Sequence, residues 1–181
     1  VIVLDTETTG LILNPALPLD QQPEIIELAA VRLHDDTLAE EAHISFFVKP
    51  KRLVREEKII KSTGITDDML TSAPSFARQL PTIVEFFLGE RIVVAHNCAY
   101  DMGMLALELA RLDRVTKFPW PVEHICTVET NMDVLVQGGR KLDVLYGIAT
   151  GGLVPPVKHR ALDDVRTLCT VVRWMRGEGK L

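Results

Sequence analysis

The sequence has little cysteine, few aromatics and no excess of positive charge. Only three cysteines occur in 181 residues, Cys98, Cys126 and Cys169. An odd number at wide separations is neither a disulfide framework nor a zinc spacing, so a reducing compartment and a cytoplasmic location are expected. No run of 18 apolar residues is present, which excludes a membrane-spanning helix and any membrane partner read from one. No segment is low-complexity, and charged residues make up 25%, which excludes disorder, collagen-like repeats and a coiled coil. The net charge of −5 argues against gripping duplex DNA along a broad basic face, because phosphate neutralisation needs Lys and Arg. What is present is apolar material, 47% of the chain, enough for one core. One domain over residues 1–181 is expected, with no repeat or linker to divide it. The chain begins at Val1 within an apolar run and is silent on targeting segments. Nothing in it bears on oligomeric state.

Hydrophobic periodicity predicts the element order. Val1 to Leu4 reads as a buried strand ending at Asp5, followed by a turn at Thr8-Thr9-Gly10 and a proline-bearing loop over 14–23. Strands follow over 25–33 and 42–48, separated by the polar His34-Asp35-Asp36 turn, which suggests an antiparallel meander. Helices are predicted near 53–62 and 75–88, a buried strand over 91–95 and a helix over 100–112. A short strand near Ile125 leads to a helix through Val136, and further helices cover 142–149 and 161–175. Strands first and strand–helix units later predict an α/β fold, a mixed sheet with helices against it.

The carboxylates fall at the ends of these elements. Asp5 and Glu7 lie two apart on a strand, so both face the same side of the sheet. Two carboxylates side by side repel unless a proton or cation sits between them. The pair is compatible with a solvated strand end, an Asp-x-Asp-x-Thr-type phosphatase or a divalent-metal site. Asp101, in the first turn after His96-Asn97, shares a helix face with Leu105, Leu109 and Leu112. A carboxylate on such a face needs a partner. On the last helix Ala161, Val165, Leu168, Val172 and Met175 form the apolar face. Asp164 lies about 50° from its centre and Asp163 about 150° away, so Asp164 is expected inward and Asp163 outward. His159, after Gly151-Gly152 and Pro155-Pro156, is placed on a loop beside these acids as a candidate general base. Four inward acids plus a base are the equipment of a two-metal phosphoryl-transfer site. Setting those four acids aside leaves 20 basic against 21 acidic residues, counted from totals of 20 and 25. A nucleic-acid substrate is then compatible with the charge.

The order Asp5-x-Glu7-Thr-Thr-Gly, His96-Asn97-x-x-Tyr100-Asp101 and His159-x-x-x-x-Asp164 resembles the three motifs of the DEDDh 3′-5′ exonucleases. That family includes the proofreading subunits of bacterial replicases, oligoribonuclease and ribonuclease T. Gly64-Ile65-Thr66 resembles a further family segment, and the likeness covers nearly the whole chain. It implies a ribonuclease-H-like fold with a mixed five-stranded sheet. It implies two Mg²⁺ or Mn²⁺ ions held by Asp5, Glu7, Asp101 and Asp164, with His159 as base. It further implies that the Thr8 backbone, Leu11 and Ile65 seat the terminal nucleotide, with His96 and Asn97 on the substrate side. The expected activity releases nucleoside 5′-monophosphates from single-stranded or frayed 3′ ends, of DNA in proofreading or repair, in company with a DNA polymerase. RNA ends are the alternative substrate, and a catalytically silent module binding a nucleic-acid end or a polymerase is the alternative class. A phosphatase ranks third, since it leaves His159 idle.

Three features depart from the family pattern: Cys98 stands where Ala is common, Tyr100 where Phe is common, and the 14–23 loop is long. The basic cluster Lys49, Lys51, Arg52, Arg55, Lys58 and Lys61 is interleaved with Glu56 and Glu57, as on a solvated helix. Trp120, between two prolines, suits either base stacking or a core plug.

Overall fold

The computed structural model describes residues 1–181 except 13, 53, 55, 56, 136–138 and 156–159. Its centre is β1 (Ile2–Thr8), whose first residues are β-branched or apolar and fully buried. The strand does not end at Asp5 as expected but runs on to Thr8. It does so because β2 (Ile25–Leu33) pairs with it antiparallel along its whole length, from Ile2↔Arg32 to Thr8↔Ile25. β3 (Glu40–Phe47) continues the meander antiparallel to β2. β4 (Ile92–Ala95) and β5 (Glu123–Cys126) add parallel strands on the other side of β1, giving the order β3-β2-β1-β4-β5.

The helices are α1 (Glu57–Thr63), α2 (Asp67–Leu70), α3 (Phe76–Phe87), α4 (Cys98–Ala110), α5 (Thr127–Thr130), α6 (Met132–Leu135), α7 (Leu142–Thr150) and α8 (Ala161–Gly177). The helix predicted to run through Val136 is two short pieces instead. Asn131, fully buried, donates its side-chain N–H to the Thr127 carbonyl at 2.9 Å where they meet. Val136 itself lies outside the described residues. The single turn of α2 had no periodic signal to announce it, being too short to show one.

The register of α8 is the one its apolar stripe predicts, with Ala161, Val165, Leu168, Val172 and Met175 all buried. Burying aliphatic side chains of this size stabilises by about 1.5–3 kcal/mol each, which pins the helix against β1 and β2. The three cysteines are free and buried. Trp120 plugs the core edge: its indole N–H donates to the Val115 carbonyl at 2.8 Å and its ring meets Phe118 edge-on. Lys61 pairs with Glu57 at i, i+4, as on a solvated helix. Arg111, its side chain buried, fastens the 14–23 loop to the end of α4, donating to the carbonyls of Leu19, Gln22 and Pro23. No helix among the described residues is long and apolar enough to cross a membrane.

Candidate active site

The site lies where the sheet opens. The parallel ladder between β1 and β4 comprises only Ile2↔Val93 and Val3↔Val94, so the second half of β1 has no β4 neighbour. A sheet crevice at such a divergence is where α/β folds bind ligands. The first turn of α4 occupies this opening. Asp101 Oδ1 accepts both the Thr6 backbone N–H at 3.0 Å and the Thr6 hydroxyl at 2.7 Å. The partner that a buried Asp101 requires is therefore Thr6, standing between the two acids of β1. Alternation does the rest: Thr6 and Thr8 face α4, while Asp5 and Glu7 face α8.

From α8, Asp164 completes the cluster. Asp5, Glu7 and Asp164 each place a carboxylate oxygen within 4.8 Å of the others. Asp101 lines the same cleft, a cavity of about 580 Å³ that also takes in His96, Tyr100, Lys141, Leu142 and Asp143. Asp163, one residue from Asp164, does not line it.

At neutral pH the acids are under electrostatic stress. Burial pushes Asp5 well above the usual carboxylate range, and Asp101, Glu7, Asp164 and Glu27 add to the shift. Glu7 is pushed up to about 7, by burial first and then by Asp164, Glu27 and Asp101, with Arg160 opposing. Burial also raises Asp101 to about 7 against the stabilising Thr6 hydrogen bonds. Carboxylates that converge and resist ionisation are a donor set of hard oxygens suited to divalent cations.

The sign of the stability effect follows. Folded values raised above the unfolded ones mean that the folded chain holds extra protons between about pH 4 and pH 7. Stability in EDTA should therefore fall as pH rises through that window and level off above it. At about 1.4 kcal/mol per unit, Glu7 alone contributes on the order of 3 kcal/mol. With about 2–4 °C per kcal/mol, the metal-free protein should melt well below its pH 5 value at pH 8. Asp5→Asn should flatten the profile and raise the melting temperature at pH 8. Calorimetric melting at both pH values checks this, and a flat parent profile would contradict the repulsion.

The other expected site residues separate into three groups. Leu11 is 67% exposed and follows Gly10, whose carbonyl accepts from the cleft residue Tyr100. Thr8 is buried, and its hydroxyl and the Tyr100 phenol both bond the Gly10 carbonyl, at 2.9 and 2.7 Å. The tyrosine at this position thus braces the Thr8–Leu11 turn through an oxygen that phenylalanine lacks. His96 lines the cleft with both ring nitrogens engaged, by the Thr127 hydroxyl at 2.9 Å and the Arg140 carbonyl at 3.0 Å. Burial holds it below the ordinary imidazole range.

Two expected residues are not part of the cleft lining. Ile65 is fully buried in a satellite cluster with Ile26, Val54 and Leu70. An apolar side chain beside a solvent-filled crevice gains more by packing beneath it. Asn97 is exposed and does not line the cleft; its left-handed backbone (φ 68°) turns β4 into α4, a conformation asparagine tolerates. His159, the expected base, lies outside the described residues.

Sequence reasoning missed Thr6, Lys141, Leu142 and Asp143. Thr6 reads as a spacer between two acids, and only the ending of the β4 ladder shows what its donors meet. Lys141 to Asp143 reach the cleft because α7 begins there, a tertiary fact without a local signal.

The comparisons with known proteins agree with this geometry. The exonuclease family model matches residues 2–172, and the chain belongs to that family, its motif order being that of the DEDDh branch. It is 35% identical over 170 residues to the PolC-type DNA polymerase III of Thermotoga petrophila, covering 94% of this chain and 11% of the relative. A PolC-type polymerase of Staphylococcus epidermidis is 40% identical over 111 residues, 61% of this chain and 7% of the relative. The chain thus spans about a tenth of the length of these curated relatives. Among solved structures, the nuclease domain of the DEDDh protein 3′hExo bound to rAMP superposes with a TM-score of 0.78 at 22% identity, over 98% of this chain and 92% of that one. A structure of exonuclease I superposes at 0.76 and 17% identity, over 97% and 40%. Those likenesses establish the ribonuclease-H-like fold.

Proposed function

We propose that this chain is a metal-dependent 3′-5′ exonuclease acting on DNA ends, with residues 1–181 as one exonuclease domain. The observation that carries the reading is the convergence of Asp5, Glu7 and Asp164 within 4.8 Å, beside Asp101, on elements distant in sequence. Asp5, Glu7, Asp101 and Asp164 hold two divalent cations, Mg²⁺ or Mn²⁺. When bound, these supply Lewis-acid activation of water and neutralise charge on the phosphate. The protein's own part is to orient the acids, to brace the Thr8–Leu11 turn that seats a terminal nucleotide, and to provide His159 as the proton acceptor. A DNA rather than RNA substrate, and association with a polymerase, are supported by the PolC-type relatives.

The test uses 5′-labelled DNA and RNA strands of matched sequence, with Mg²⁺, with Mn²⁺ and with excess EDTA. Stepwise ladders from the 3′ end are expected on DNA with either metal, and none in EDTA. Full activity in EDTA would remove the metal mechanism and revive the phosphatase reading. A closed circular single strand should resist, because the cleft beside Leu11 takes a chain end. Efficient nicking of the circle would make the enzyme an endonuclease.

A further inference from the structure

Directly across the antiparallel ladder from Glu7 stands a second glutamate, Glu27. Like charges opposed on one sheet face destabilise each other, and Glu27 is only 3% exposed. The two differ in what surrounds them. Glu27 Oε1 and Oε2 accept the Arg160 Nε–H at 3.3 and 3.2 Å, and Oε1 also accepts from Nη2 at 2.9 Å. Glu27 Oε2 additionally accepts the Ala161 backbone N–H at 3.1 Å, at the first residue of α8. One carboxylate therefore grips both the guanidinium and the start of the helix that carries Asp164 one turn later. The Arg160 guanidinium also lies over the Phe47 ring at 5.0 Å, which fixes its plane.

We propose that Glu27 and Arg160 are a positioning pair, which sets where α8 meets the sheet and keeps the Arg160 charge off Glu7. The first effect fixes the separation of Asp164 from Asp5 and Glu7. The second holds the Arg160 fork on Glu27, so that it relieves Glu7 only from a distance and leaves Glu7 open to a cation. Neither residue lines the cleft or belongs to the acid cluster. The proposal rests on the metal-dependent reading of the four acids.

Two measurements on the same protein test it: Mn²⁺ binding to the metal-free chain by calorimetry, and the Mg²⁺ concentration giving half-maximal strand digestion. Outer-shell partners of metal sites typically alter affinity by about 10- to 100-fold. Glu27→Gln, which loosens the helix start and frees the guanidinium to compete at Glu7, should weaken both by that factor. Turnover at saturating metal should persist. Arg160→Lys keeps the charge without the fork and should fall between Glu27→Gln and the parent. A pair that merely braces the fold would lower the melting temperature while folded molecules kept the parent metal dependence, and that result overturns the proposal. Loss of one bound ion per chain in Glu27→Gln would overturn it too, making Glu27 a ligand. Should Glu27→Gln not fold, Arg160→Lys decides alone by the same two readouts. If the parent binds Mn²⁺ but degrades no strand, the exonuclease reading fails while the calorimetric comparison still judges the pair.

Discussion

Asp164→Asn should all but abolish digestion, whereas Asp163→Asn should stay within a few-fold of the parent. The two residues are adjacent and chemically identical, so the contrast isolates direction. Asp164 lies on the side of α8 that meets β1, with a carboxylate oxygen within 4.8 Å of both Asp5 and Glu7. Asp163 is turned about 100° further round the helix, away from the cleft. Removing a group that only supports a metal-holding side chain costs about 10- to 100-fold, so removing an acid of the cluster itself should exceed about 100-fold. Asparagine keeps the shape and one oxygen but gives up the charge that holds a cation. Melting should show Asp164→Asn no less stable than the parent in EDTA, since one of the repelling charges has gone. Single-turnover rates on a 5′-labelled strand, with both variants at saturating Mg²⁺, make the comparison. A reversal would place Asp163 in the cluster and shorten the histidine-to-aspartate spacing by one.

The second large effect is expected at His159. Loss of a general base usually lowers turnover by about 10²- to 10⁴-fold, and His159→Ala should lose that much while Mn²⁺ binding and strand-end binding persist. Its place in the chain gives the reason: it directly precedes Arg160, which Glu27 anchors at the head of α8. In the parent, the rate should fall on the acid side as the imidazole protonates. His96 is no substitute, because both its ring nitrogens are already engaged by Thr127 and Arg140. The pH–rate profile of the variant decides the assignment. An acid limb unchanged from the parent would mean that another group titrates there and that His159 is not the base.

On the proposed reading, the cleft accounts for how so acidic a chain would act on a polyanion. Its acids are concentrated at one point and stressed toward neutrality by burial, as the raised values of Asp5, Glu7 and Asp101 record. Two divalent cations would neutralise the four acids and so relieve that stress. Stability and activity should therefore respond to the same ions, with the metal-free protein the weaker at alkaline pH.

Local chemistry alone determined a good deal here. Alternation put Asp5 and Glu7 on one face, because successive strand side chains point to opposite sides. Helical phase separated Asp164 from Asp163, because the apolar stripe from Ala161 to Met175 has only one way to meet a sheet. The antiparallel pairing of β2 and β3 followed from the short polar join between them, and the parallel finish from the helices after Val48. What the sequence could not decide was which residues from distant segments complete one another. Thr6 as the partner of Asp101, 95 positions away, Arg160 upon Glu27, 133 positions away, and Lys141 at the cleft all depend on contacts between distant segments. The surroundings of Ile65 were hidden for the same reason: its motif is local, but its burial is set by Ile26, Val54 and Leu70 from three other segments. Periodicity reports which way a side chain points from its own element, and only packing between elements fixes what it meets there.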